Sequence, residues 1–268
     1  MESYLSTVRR VASEFVADLL ACLRFYSRLP IPPFEFEKNP YGSGITARMR
    51  MLPFAGALIG AFGALALLSS KALGLALPLA ATLAILCLIA VTGAFHEDGL
   101  ADFADSIGGT TRETRLEILK DSRIGTFGTI ALIGSVLLRV LSLWIFARHN
   151  LGLASLVLIA TGGVSRTLGL LPLVLLPPAR TEGAGFSATS DQPPLRVTAL
   201  FALALSLLPL LAGASLWRVF NALACSAVAV YGVTLLARRL YSGQTGDVAG
   251  AAQQVAEVTT YLVFAARF

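Results

Sequence analysis

Charge is what this sequence has least of. Asp, Glu, Lys and Arg make up 14% of its 268 residues, against about 25% in an ordinary soluble domain. So few charges cannot cover a water-facing surface, which excludes a soluble globular enzyme. A hydrophobic content of 56% and a mean hydropathy of +0.74 exclude intrinsic disorder as well. Short cysteine spacings are also missing. Cys22, Cys87 and Cys225 stand far apart in apolar surroundings, as core fillers rather than zinc ligands or disulfide partners. The net charge is +5, but no basic cluster interleaved with aromatics accompanies it, so no nucleic-acid partner is expected. Nor is there an internal repeat of the kind that builds inverted-repeat transporters. Residues 1–28 lack the unbroken apolar run of a cleavable signal, being interrupted by Arg9, Arg10, Glu14, Asp18 and Arg24.

Long apolar runs are abundant. A bilayer crossing needs about 20 residues, and spans are predicted at 52–70, 75–95, 127–147, 153–176, 197–214, 219–237 and 248–264. The expected fold is an all-α polytopic bundle of about seven transmembrane helices, a single integral membrane domain over residues 1–268. Residues 1–51 form its cytoplasmic or interfacial segment and residues 52–268 the bundle. Residues 15–29 carry apolar side chains at helical spacing with charges opposite. This predicts an interfacial or re-entrant amphipathic helix, closed by Pro30, Pro32 and Pro33. Basic residues divide fifteen to four in favour of a cytoplasmic N-terminus, with Arg139 and Arg166 inside spans. That orientation puts the loops at 96–126, 178–196 and 238–247 together on the cytoplasmic side.

The acids are unevenly placed. Seven of the 16 fall between Glu97 and Asp121. Asp98, Asp102 and Asp105 follow at i, i+4 and i+7, which on a helix puts them near roughly 0°, 40° and −20° on one face. No Lys or Arg stands at i+4 to pair with them. A divalent cation relieves that repulsion, and oxygen ligands without His or Cys suit Mg²⁺ or Mn²⁺ rather than zinc. The alternative is a solvated acidic loop without a ligand. His96 lies about 160° from Asp98, and Glu97 about 100° off the acidic face. Neither is expected as a ligand, and His96 suits a polar anchor at the membrane surface.

Downstream, Asp121-Ser122-Arg123-Ile124-Gly125-Thr126-Phe127-Gly128 precedes a span. Its small residues allow backbone to approach a ligand, and Arg123 offers a fork for phosphate oxygens. Arg112, Glu113, Arg115 and Glu117 are read as structural pairs along a helix. Gly243-Gln244-Thr245-Gly246-Asp247 opens the last span, where Asp247 either caps the helix or helps to hold a ligand. Arg180-Thr181-Glu182-Gly183 forms a polar loop. Arg166 sits inside an apolar span, facing the bundle, a polar cavity or backbone carbonyls.

Five segments together resemble the cobalamin synthase family, the adenosylcobinamide-GDP ribazoletransferases. They are His96-Glu97-Asp98-Gly99-Leu100-Ala101-Asp102 with Asp105, and Asp121-Ser122-Arg123-Ile124-Gly125-Thr126 with Gly128. The others are Ser165-Arg166, Arg180 with Glu182-Gly183, and Gly243-Gln244-Thr245-Gly246-Asp247. Weaker likenesses are Ser27-Arg28-Leu29-Pro30-Ile31-Pro32 and Leu52-Pro53-Phe54 with Gly56, and Ser106 departs from an expected Gly. The resemblance implies a multi-pass, Mg²⁺-dependent enzyme joining adenosylcobinamide-GDP to α-ribazole or its 5′-phosphate. GMP is released, and adenosylcobalamin or its 5′-phosphate is formed. On that reading Asp98, Asp102 and Asp105 hold Mg²⁺ on the diphosphate, and Asp121 either completes the metal site or takes the attacking hydroxyl's proton. Arg123, Arg166 and Arg180 stabilise the diphosphate and departing GMP, with Gln244 and Asp247 on a substrate hydroxyl or base. The family likeness further implies a cell-membrane location (the inner membrane in a Gram-negative cell), among lipid and other membrane-associated corrinoid enzymes.

Two other functions share some of these features. CDP-alcohol phosphotransferases gather Asp residues at a helix end around Mg²⁺, but their signature begins Asp-x-x-Asp-Gly, whereas here the spacing is Asp98-Gly99-Leu100-Ala101-Asp102. A divalent-cation transporter would distribute acids through its spans, and only Glu257 lies well inside one.

Overall fold

The computed structural model describes residues 2–37, 45–180 and 193–266. Among them the regular structure is helical, with one isolated parallel bridge between Pro178 and Gln244. Helix α1 (Glu2–Tyr26) is longer than the amphipathic segment expected, and it is not one of the candidate membrane spans. Near its end Arg24 reaches over the proline segment that follows. Its Nε donates to the Ile31 carbonyl at 3.0 Å, Nη2 to that of Pro32 at 2.7 Å, and both terminal nitrogens pair with the Glu37 carboxylate. A short helix α2 (Ile45–Arg48) and a 3-10 turn lead into α3 (Leu52–Ala72), which has Pro53 in its first turn.

Helix α4 (Leu77–Thr92) stops at Gly93, whose φ of 65° is left-handed, and Ala94 follows with φ 58°. Glycine adopts this backbone freely, whereas for alanine it costs about 1–2 kcal/mol. The two residues turn the chain through 89° into α5 (Phe95–Ser106), which carries the acidic motif away from the axis of α4. Then come α6 (Arg112–Ile118), α7 (Thr126–Ala147), α8 (Leu151–Leu168) and the short α9 (Leu171–Leu175). Beyond residues 181–192 lie α10 (Leu195–Ser206) with a 3-10 extension, α11 (Leu216–Tyr241) and α12 (Gly246–Ala265).

Helices occupy all seven places where spans were expected. Five of them are long and apolar enough to cross a membrane, or six if the bent α4–α5 pair is one span. The expectation of about seven spans is therefore too high by this measure, and the causes are visible. Helix α4 has only 16 residues, and α12 carries Asp247, Gln253, Gln254 and Glu257. Helix α12 packs against α5, α7, α8, α9 and α11, so most of its side chains meet protein rather than lipid. Ile130, Ile133 and Leu137 of α7, Leu200 and Leu203 of α10, and Phe220 and Val228 of α11 are exposed instead. These form the apolar outer surface that a bilayer solvates.

The most extensive helix pairing is α3 on α8. It is made possible by Gly56 and Gly60 facing Gly162 and Leu158. A Cβ at Gly56 would stand 2.1 Å from the Gly162 carbonyl oxygen, and one at Gly60 2.3 Å from that of Leu158. In lipid, where burial supplies little attraction between helices, such close backbone contact is a principal source of association.

Candidate active site

The site is built where α5 crosses the start of α12. A Cβ at Gly99 would lie 3.0 Å from the Asp247 carbonyl oxygen and 3.2 Å from the Gly250 Cα, so the two backbones touch. This contact brings Asp247 into the group begun by Asp98 and Asp102. Asp98 is exposed, while Asp102 and Asp247 are half-buried. Asp102 lies in the combined negative field of Asp98, Asp247 and Asp105, with Arg180 as the compensating cation. The Arg180 guanidinium approaches Asp247 Oδ2 to 3.9 Å and donates to the Leu116 carbonyl at 2.9 Å.

The Gly-Gln-Thr-Gly-Asp motif is strapped to the segment before Arg180. The Gln244 amide donates to the Pro177 carbonyl, and the Ala179 amide to that of Gln244, each at 2.8 Å. Gln244 is buried at this crossing. Thr245 is the N-cap of α12, accepting from the Val248 amide at 3.3 Å and donating to Asp247 Oδ2 at 3.2 Å. The open question of whether Asp247 caps the helix is thereby answered. Thr245 does so, and the Asp247 carboxylate, in the first turn, accepts from the Thr245 hydroxyl and lies 3.9 Å from Arg180.

Asp105 shares the helix with Asp98 and Asp102 but is engaged differently. Its Oδ2 accepts from the Gly125 amide at 2.7 Å and its Oδ1 from the Gly128 amide at 2.8 Å. It therefore caps the start of α7, where a negative charge also meets the favourable end of the helix dipole. Cβ atoms at Gly125 and Gly128 would stand 2.5 Å and 2.3 Å from its oxygens. The small residues of the Asp121–Gly128 motif thus admit this carboxylate, where the spacing had suggested a ligand. Among the described residues no group of three or more His, Cys, Asp or Glu side chains is arranged to hold a metal ion. Replacing Asp105 by Asn leaves one backbone N–H facing an amide N–H, and about 1–2 kcal/mol of stability should be lost. Thermal unfolding in detergent reads this directly, and an unchanged midpoint would contradict the capping role. Ser106, the departure from the family pattern, is fully buried. It donates to the Phe103 carbonyl at 2.6 Å and shares a hydrogen bond with the Tyr241 hydroxyl, joining α5 to α11.

Asp121 and Arg123 pair with each other in the loop before α7, with an Nη2–Oδ2 distance of 2.7 Å. Hydrogen bonding by the Arg123 guanidinium holds the Asp121 carboxyl below the usual carboxylate range. Arg112, expected to pair along its helix, instead donates to the Tyr241 carbonyl at 2.8 Å and to that of Ala179 at 2.9 Å, clamping the loops around Arg180. Its contact with Glu113 is a loose 3.9 Å. His96 is buried and stacked on Tyr26, with ring centroids 5.7 Å apart, and lines the interior of the bundle with Glu97, Arg139 and Arg166. Glu182 and Gly183, with most of the expected 178–196 loop, lie outside the described residues.

Arg166 belongs to a second group, inside the bundle. It is 5% exposed, donates to the Gly162 carbonyl of its own helix at 2.9 Å, and has Glu257 and Glu97 as its charged neighbours. There Arg139 pairs with Glu97 at 2.9 Å and Glu257 at 3.3 Å, and Gln253, Gln254, Ser135 and Ser165 complete the network. Sequence reading did not find this group, because Glu97 was discounted for lying off the acidic face. The available signal was the presence of Arg139, Arg166 and Glu257 alone in apolar helices, since intramembrane charges seek one another.

The motifs that meet at this crossing can be compared with those of known proteins. A family model described as cobalamin-5-phosphate synthase matches residues 18–265. The chain is 43% identical over 250 residues to an adenosylcobinamide-GDP ribazoletransferase of Azorhizobium caulinodans, covering 92% of this chain and 94% of that one. A protein of the same name from Xanthobacter autotrophicus is 44% identical over 250 residues, covering 91% and 94%. A third, from Rhizobium etli, is 40% identical over 257 residues, covering 94% and 97%. No solved structure matches. With nearly its whole length aligned, from the end of the amphipathic helix through α12, this chain belongs to the cobalamin-5-phosphate synthase family.

Proposed function

We infer that this chain is an adenosylcobinamide-GDP ribazoletransferase of the cell membrane, completing the nucleotide loop of cobalamin. The observation that carries this reading is the convergence of the family motifs. Asp98 and Asp102, Asp247 and Arg180 come from three separate stretches of sequence and meet at one crossing. The comparisons do not favour a phospholipid-forming phosphotransferase or a cation transporter. The donor set fits Mg²⁺, which is commonly held by one or two carboxylates together with substrate phosphates and water rather than by an all-protein cage. Asp98 and Asp102, with Asp105 engaged at α7, are the carboxylates that would hold it. Bound there, Mg²⁺ would supply charge neutralisation for the diphosphate.

The reaction breaks the anhydride bond of adenosylcobinamide-GDP. A ribazole hydroxyl attacks the phosphorus attached to the cobinamide, its proton passes to a base, and GMP leaves with the bridging oxygen. Arg180, held by the Leu116 carbonyl, would pair with phosphate oxygens beside the carboxylates. Asp247 and Gln244 orient a substrate hydroxyl or base. Asp121 is the candidate proton acceptor, and swinging Arg123 from Asp121 to phosphate would raise the basicity of that carboxylate while placing a second cation on the diphosphate. The fifteen-to-four division of basic residues supports a cytoplasmic site.

The test uses purified protein in lipid with adenosylcobinamide-GDP and α-ribazole or its 5′-phosphate. Equal amounts of corrinoid product and GMP are expected, with chelation of Mg²⁺ stopping both and re-addition restoring them. Metal-ion flux in proteoliposomes without corrinoid, and no nucleotide release with both substrates present, would overturn the assignment.

A further inference from the structure

Helix α5 is pinned at both ends, and the two acids that face the site lie between the pins. At its far end Asp105 holds the start of α7, and Ser106 bonds Tyr241 of α11. At its near end Glu97 is buried on the side of α5 that faces the bundle, while its neighbour Asp98 is exposed. Glu97 Oε1 accepts from Arg139 Nη1 at 2.9 Å and from Gln254 Nε2 at 3.2 Å. The same Arg139 nitrogen donates to Glu257 Oε1 at 3.3 Å, so one side chain of α7 ties α5 to α12.

We propose that Arg139, through Glu97, is a positioning residue that sets the rotation of α5 and so aims Asp98 and Asp102 at Asp247 and Arg180. The proposal rests on the transferase reading above. Its physical basis is the nature of the α5–α12 contact. Gly99 and Gly250 meet backbone to backbone, a smooth surface that permits sliding or rotation. Asp98 and Asp102 share one face of α5, so a modest rotation of the helix turns both away from Asp247 and Arg180. Directional, charge-assisted bonds from the Arg139 Nη1 oppose that rotation in a way that apolar packing in lipid does not. Helix α12 has further polar anchors of its own: Gln253 donates to Ser165 at 3.0 Å, and Thr260 shares a hydrogen bond with Ser226 at 2.9 Å. Loss of Glu97 should therefore release the near end of α5, whereas loss of Glu257 leaves α12 held.

The test compares two isosteric changes that each remove one carboxylate from the same arginine. In the lipid assay Glu97→Gln is expected to lower kcat by about 100-fold, the scale of an ångström misplacement of reacting groups, with KM for both substrates little changed. Glu257→Gln should keep kcat within a few-fold of wild type. Arg139→Leu should resemble Glu97→Gln, and Arg139→Lys should restore part of the loss. A role in stability alone predicts equal losses for Glu97→Gln and Glu257→Gln, and that result would overturn the proposal, as would full kcat in Glu97→Gln. If Arg139→Leu does not fold, the two glutamine variants still decide. An inactive wild type would instead count against the transferase reading.

Discussion

Asp98→Asn is expected to abolish GMP release from adenosylcobinamide-GDP while the protein stays folded in lipid. Asp98 is exposed at the start of α5, beside the half-buried Asp102 and Asp247. Asparagine is nearly isosteric and keeps the helix surface, so stability should change by no more than about 0.5 kcal/mol. The charge, however, is what the proposed site uses. A cation held against phosphate by two carboxylates loses much of its attraction when one becomes a neutral amide. Removing a preorganised electrostatic contribution of this kind typically lowers kcat by about 10²–10³-fold, and a direct metal ligand stands at the upper end or beyond. The measurement is GMP and corrinoid product from the same reaction, with size-exclusion and circular dichroism profiles as the folding control. Full activity at ordinary Mg²⁺ would remove Asp98 from the site.

The second large effect concerns the frame rather than the chemistry. Gly56→Ala should prevent recovery of well-folded protein, because the added methyl would stand 2.1 Å from the Gly162 carbonyl oxygen and 2.9 Å from the Gly163 Cα. Ordinary overpacking costs about 1–3 kcal/mol because side chains move aside. Here the obstacle is backbone within a helix, so α3 and α8 must separate along their whole contact. That loss is large against a net stability of about 5–15 kcal/mol. Gly134→Ala in α7 is the control, since nothing lies within 4 Å of its added Cβ. It should be neutral or slightly stabilising, alanine being the better helix former. Yield of monodisperse protein and thermal unfolding in detergent compare the two, and a wild-type midpoint for Gly56→Ala would refute the argument.

Much of the architecture was legible because it is local. Apolar runs of helical length locate α3, α7, the α8–α9 run and α11 within a few residues, and the i, i+4, i+7 spacing of Asp98, Asp102 and Asp105 does place all three on one helix. The count of spans was less legible. Helix α4 turns out to be only 16 residues long, and α12 carries Asp247, Gln253, Gln254 and Glu257 along a run whose other residues are largely apolar. The 89° turn at Gly93 and Ala94 left only a weak trace in the sequence, since Ala94 adopts a left-handed backbone that alanine rarely takes.

Among the site residues, the Asp-Gly-Leu-Ala-Asp and Gly-Gln-Thr-Gly-Asp motifs were expected on one cytoplasmic face, but the backbone contact that joins them, Gly99 against Asp247 and Gly250, has no signature in the spacing of either. Sharing a helical face also did not mean sharing a partner. Asp105 is one turn beyond Asp102 and turns to the Gly125 and Gly128 amides, because the start of α7 lies there with its N–H groups unfilled. Arg123 stays with Asp121, and Arg166 joins Glu97 and Glu257 within the bundle.

That this is a helical membrane protein, which family motifs it carries and where its scarce acids gather could all be read from the order of residues alone. Those properties follow from composition and from periodicity within single helices. Which acid caps a neighbouring helix, and which buried charges pair, was settled by the packing of the helices. Such pairings depend on the rotation and crossing of helices far apart in the chain, as at Gly99 against Gly250 and Arg139 between Glu97 and Glu257. No periodicity within one helix encodes its rotation against another.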